Sequence, residues 1–91
     1  MHADLTHIAR RVKWWQPPDE TLADETDFLC RVMAMASLDD ARTVLAVFGP
    51  HRLSAALRGA PPGVLDARSW HYWHLRLGLG PAGPMPSRRL A

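Results

Sequence analysis

Three features of the chain predict an all-α fold, a single small domain of four or five short helices followed by a flexible C-terminal tail. Apolar residues recur at helical spacing, no segment alternates with the two-residue period of a strand, and prolines and glycines fall between the periodic runs. The 91 residues suffice for one core and are too few for two. Apolar residues at 47% and charged residues at 22% place the chain with globular domains and away from disordered ones. The helical domain is expected over residues 1–80 and the tail over 81–91. So short a chain buries a smaller share of its surface than a larger domain, which leaves room for stability supplied by a partner.

Leu5, Ile8, Val12 and Trp15 follow i, i+3, i+7, i+10 and mark a first helix, stopped by Pro17-Pro18 because neither proline extends the hydrogen-bond ladder. A second helix begins near Asp24, with Phe28, Leu29, Val32, Met33 and Ala36 as its apolar stripe. The acids at its start suit the positive end of the helix dipole. Ser37 reads as the N-cap of a third helix, with Asp40 three residues on, and Ala41, Val44, Leu45 and Phe48 share one side of it. Gly49 follows as its C-terminal stop, and Pro50 opens a fourth helix running to about Arg58 with Leu53 and Leu57 inward. Gly59 to Gly63 is a loop. Asp66 caps a fifth helix that runs to about Gly78, and the prolines at 81, 84 and 86 exclude regular structure beyond it.

The fifth helix carries two apolar faces. Trp70, Trp73 and Leu77 fall together with His74 beside them, while Tyr72, Leu75 and Leu79 fall nearly opposite, interrupted by Arg68. Such a helix is either central to its own bundle or shared with something outside. Trp14-Trp15 adds to this, since neighbours on a helix lie about 100° apart and one tryptophan enters the core while the other stays at its margin. Tryptophan and arginine are the preferred anchors of binding hot spots, and here four tryptophans stand in two helices flanked by arginines.

The net charge of +2 hides a segregation: residues 1–18 carry +2, residues 19–40 carry −6 and residues 41–91 carry +6, histidines taken as neutral. Either packed helices neutralise one another, or two surfaces of opposite sign are presented and one meets a charged partner. Cys30, the single cysteine, sits in an apolar run and reads as a small hydrophobe. No stretch approaches the ~18 apolar residues of a membrane span, and no signal peptide opens the chain, so a cytoplasmic protein is expected with no membrane contact.

Phosphate-binding, dinucleotide and zinc-protease motifs are all missing. His71 and His74 share a helix face, but two ligands do not hold a metal, so neither metal nor cofactor is expected. Arg68 and His74, with five residues between them, resemble the loose arginine–histidine pattern of small helical ribonucleases of the HEPN type. Ser69 replaces the strongly polar neighbour usual there, and the chain is short for that fold. No enzyme and no small-molecule substrate are expected. Residues 38–58 outline a helix-turn-helix, in which His51, Arg52, Ser54 and Arg58 are the candidates to reach DNA.

A wider resemblance rests on Ala60-Pro61-Pro62-Gly63-Val64-Leu65-Asp66-Ala67-Arg68-Ser69-Trp70-His71-Tyr72-Trp73-His74-Leu75-Arg76-Leu77-Gly78-Leu79. This run, with Phe28-Leu29, Val32-Met33, Trp14-Trp15 ahead of Pro17-Pro18, and Pro84 to Arg89, resembles short bacterial proteins encoded beside nucleotidyltransferase toxins of the AbiEii type and taken to be their antitoxins. The likeness runs from about Val12 to Arg89 and departs at Ala36, where a glycine is expected. It implies a cognate nucleotidyltransferase toxin as protein partner. On that reading the partner-binding residues are Trp14, Trp15, Asp24, Glu25, Asp27, Arg68, Trp70, Tyr72, Trp73, Leu77, Arg88 and Arg89. The acids would mimic nucleic acid in the toxin's cleft, or the tail would thread towards it while the tryptophan-rich helix docks. The alternative is a helix-turn-helix DNA-binding regulator.

Overall fold

The computed structural model describes residues 5–85, which form six α-helices and, among themselves, no strand. These are α1 (Leu5–Val12), α2 (Pro18–Ala23), α3 (Glu25–Met35), α4 (Leu38–Phe48), α5 (Pro50–Arg58) and α6 (Ala67–Arg76). The count exceeds the expected four or five because of α2. Pro17-Pro18 ends α1, but Pro18 also stands at the first position of a new helix, where a missing N–H costs nothing and the fixed φ favours the turn. The Thr21 hydroxyl, buried in α2, donates to Gln16 Oε1 at 3.0 Å and so ties the new helix to the preceding turn. The first helix is correspondingly shorter than its periodicity suggested. It closes at Val12, and Trp14 and Trp15 lie in the turn that follows.

The other boundaries follow local capping chemistry. Asp24 accepts from the Asp27 N–H, Ser37 from the Asp40 N–H and Asp66 from the Ser69 N–H, which satisfies one otherwise orphaned donor at the start of α3, α4 and α6. Between α3 and α4 the chain passes through Ala36 in an extended conformation (φ −77°, ψ 160°), so the expected glycine is not required there. Gly49 does need its freedom, adopting φ 85° between α4 and Pro50. α6 stops at Arg76, earlier than expected. The Leu79 N–H bonds the His74 carbonyl and the Gly78 N–H bonds the Leu75 carbonyl, a Schellman closure with Gly78 at φ 71°.

The centre of the molecule is α3, which touches each of the other five helices. Phe28, Leu29, Cys30, Val32 and Met33 are all buried on it, and Ile8, Val12, Val44, Leu53 and Leu57 surround them. Cys30 is within this core, its Sγ donating to the Ala56 carbonyl of α5 at 3.2 Å. Burial, with Asp27 and Asp24 nearby, pushes its thiol up to about 12, so it behaves as the hydrophobe its surroundings suggested.

Part of the segregated charge is paired within the fold. Asp27 holds Lys13 at 3.1 Å and Arg31 at 2.9 Å, Asp40 holds Arg11 at 3.0 Å, and Glu25 pairs with Arg52. The acidic middle of the sequence thereby joins the basic stretches on either side of it. Beyond α6 the segment expected to start a free tail is tied down at residues 82 and 83. Ala82 packs against the core, and Trp70 Nε1 donates to the Gly83 carbonyl at 2.9 Å. Residues 1–4 and 86–91, the latter including Arg88 and Arg89, lie outside the described residues.

Candidate partner-binding surface

The cap at Asp66 sets the rotation of α6, and its two faces have different fates. Trp70 and Trp73 turn inward and are buried. Trp73 Nε1 donates to the Met33 carbonyl at 3.0 Å, pinning α6 to the end of α3, while Trp70 stacks edge-on against His74 with centroids 4.3 Å apart. The His74 ring is occupied further by a 2.7 Å bond between Nδ1 and the Trp70 carbonyl. Both tryptophans are therefore core anchors within this chain. The opposite face is left open, Tyr72 being 45% and Leu75 70% exposed. Of the two readings the sequence left for this helix, the central position goes to α3, and α6 lies at the edge with an apolar side uncovered.

Beside that side runs a groove of about 310 Å³, lined mainly by Val32, Met33, Ala36, Leu38, Arg68, Tyr72 and Trp73. Met35, next to it in sequence, and Leu38, on its wall, are 53% and 54% exposed. Neither residue stood out in the sequence. The available signal was that Met35 falls off the buried stripe of α3 and that Leu38 directly follows an N-cap, where a side chain projects from the first turn. Arg68 is exposed at the groove and has no ion-pair partner among the described residues. The surface thus combines an apolar floor, an aromatic wall and one exposed guanidinium, the composition of a protein-binding hot spot.

Other expected contact residues lie elsewhere. Trp14 and Trp15 are both exposed, at 76% and 55%, and pack edge-on with centroids 5.6 Å apart, so neither enters the core. The Arg31 guanidinium lies 5.4 Å from the Trp15 ring centre. Asp24, Glu25 and Asp27 are each engaged inside the fold, as cap, ion-pair partner and double acceptor respectively. They do not gather as a free acidic surface. Leu77 is partly buried and faces a different groove, with Leu79.

The helix-turn-helix outline of α4 and α5 exists, but its four candidate residues divide. Arg52 is held by Glu25 and lies over the Phe48 ring at 4.9 Å, and the hydrogen bond it donates to the Glu25 carboxylate raises its already high pKa. Ser54 is buried, whereas His51 and Arg58 are exposed. Arg68 and His74, six residues apart, stand about 120° apart around α6, so the helix does not align them on one side. Among the described residues no three of His, Cys, Asp or Glu gather to hold a metal ion, and no helix is long and apolar enough to cross a membrane. Comparison with protein-family models, with curated proteins and with solved structures finds no match to this chain.

Proposed function

We propose that this chain is an antitoxin that neutralises a cognate nucleotidyltransferase toxin by binding it directly, without catalysis of its own, in the cytoplasm that both would share. The observation that carries the reading is the uncovered face of α6, Tyr72 and Leu75, beside an apolar groove with an unpaired Arg68 at its wall. An exposed apolar patch of this kind marks a contact surface more often than it marks packing left unfinished. The resemblance of residues 60–79 to antitoxin-like proteins falls on the helix that bears the patch, which gives the partner its class.

The contact surface proposed is a smaller set than the residues the sequence implied. Trp70 and Trp73 support it from inside. Tyr72, Leu75, Met35 and Leu38 supply the contact, and Arg68 suits an acidic group at the rim of the partner's anchor. The acids of residues 24–27 are engaged within the fold, so binding does not draw on nucleic-acid mimicry by them.

Co-expression with the neighbouring toxin tests the proposal, scoring growth rescue and co-purification together. Tyr72→Ala with Leu75→Asp is expected to abolish both while the circular dichroism spectrum and melting temperature stay near those of the parent chain. Each of these side chains is a hot-spot candidate worth about 2 kcal/mol or more, so the pair should weaken the complex by at least about three orders of magnitude. Undiminished rescue and co-purification by the folded double variant would remove α6 as the docking element.

A further inference from the structure

A second groove, of about 340 Å³, lies along α5 and shares no lining residue with the first. Pro50, His51, Ser54 and Arg58 line it from successive turns of one helix side, and Leu77 and Leu79 close it from the segment after α6. No acidic side chain lines it. At the Pro50 end, α5 begins with Gly49 in the cap position, and no side chain takes up its first-turn N–H groups. The first-turn N–H groups are therefore left without a side-chain cap at that end of the groove, while Glu25 is engaged by the Arg52 guanidinium.

Ser54 supplies an independent sign. It is 8% exposed, and its hydroxyl has no hydrogen-bond partner among the described residues. Every fully buried polar side-chain atom among these residues has a partner, so the Ser54 hydroxyl must meet an opening. The groove it lines is that opening. His51 and Arg58, on either side of it along the helix, are likewise without partners, whereas Arg52 on the same helix is held by Glu25. Three unspent donors thus face one concavity, in a protein that pairs most of its other polar groups.

We propose that this groove binds a phosphate group. Arg58 supplies the full charge, Ser54 and His51 supply hydrogen bonds, and the open start of α5 supplies backbone donors. Leu77 and Leu79 form an apolar wall for whatever the phosphate carries. The site is independent of toxin binding, because its residues lie outside the α6 face.

The test is a titration of the full chain, at low salt, with inorganic phosphate and separately with a nucleoside 5′-monophosphate, followed by amide chemical shifts. Saturable shifts confined to residues 51–58 and 77–79 are expected. Arg58→Gln should weaken binding about tenfold and Ser54→Ala about threefold, the losses typical of a charge-assisted and a neutral hydrogen bond. Arg42→Gln, an exposed arginine on α4, should change nothing. Tighter binding of the nucleotide identifies a phosphate ester as the ligand, and equal binding identifies free phosphate. Either outcome carries the proposal. No saturable shift in α5 at millimolar phosphate would overturn it, and so would equal weakening by Arg42→Gln, which signals diffuse charge attraction.

Discussion

α3 and α6 are both short and both rich in large apolar side chains, yet one is surrounded by neighbouring helices and the other is covered on one side. α3 meets five helices and buries four consecutive residues from Asp27 to Cys30, while α6 meets α3 and leaves Tyr72 and Leu75 to solvent. Composition does not separate them. What does is the supply of neighbours, since α1, α2, α4 and α5 all pack on α3 while Tyr72 and Leu75 on the second face of α6 stay exposed. In a chain of this length the core is complete before every apolar face is covered, and the remainder is the surface a partner can use.

The contrast is broken most severely in α3. Leu29→Ala should cost about 2–5 kcal/mol, against a total of about 5–15 kcal/mol for a typical domain, and should leave a loosely folded or unfolded chain in denaturant titration. A loss below about 1 kcal/mol would mean that the core relaxes into the space and that α3 is not the keystone. Trp73→Phe comes next. It keeps the ring in the core but removes the bond to the Met33 carbonyl, and should cost about 1–3 kcal/mol by leaving a buried acceptor unsatisfied. Wild-type stability in this variant would show that α6 is held by ring packing alone.

A smaller effect concerns the cap that sets the rotation of α6. The Ser69 backbone N–H, and then its hydroxyl, hold the Asp66 carboxylate below its ordinary pKa in the folded chain. A depressed folded pKa stabilises the fold fully above the unfolded value, about 3.9, and the stabilisation is lost as pH falls through the folded one. Asp66→Asn retains a neutral cap, so the stability difference between parent and variant should shrink as pH drops from neutrality towards 2. A difference independent of pH would mean that the carboxylate's charge contributes nothing to the cap.

Much of this architecture was legible because its signals are local. The caps at Asp24, Ser37 and Asp66 act over three residues, and Gly49-Pro50 marks a boundary by backbone geometry alone. The helix α2 was hidden because the same proline pair that stops one helix can start another. The fate of the charges was hidden for a different reason. Asp40 and Arg11 are 29 residues apart and Glu25 and Arg52 are 27 apart, so no sequence window contains both partners. The candidate surface was half legible. Periodicity found both faces of α6, but an apolar stripe does not state whether its neighbour lies in the same chain, and of the four tryptophans expected as contacts the two on α6, Trp70 and Trp73, are buried.

The smallest expected change is also the sharpest test of the comparison. Leu75→Asp places a charge where the chain now exposes 70% of a leucine. If this face is open, the substitution removes no packing, and stability should stay within about 0.5 kcal/mol of the parent, the usual range for surface positions. The same change at Leu29 would put an unpaired charge in the core and unfold the protein. A melting temperature that falls with Leu75→Asp in the isolated chain would mean that something within the chain already covers α6. The surface would then be spent, and the docking face would have to be sought at the exposed Trp14-Trp15 turn. An unchanged melting temperature together with loss of the proposed toxin's binding would assign the two faces of α6 separate tasks, one in holding the fold and one in meeting a partner.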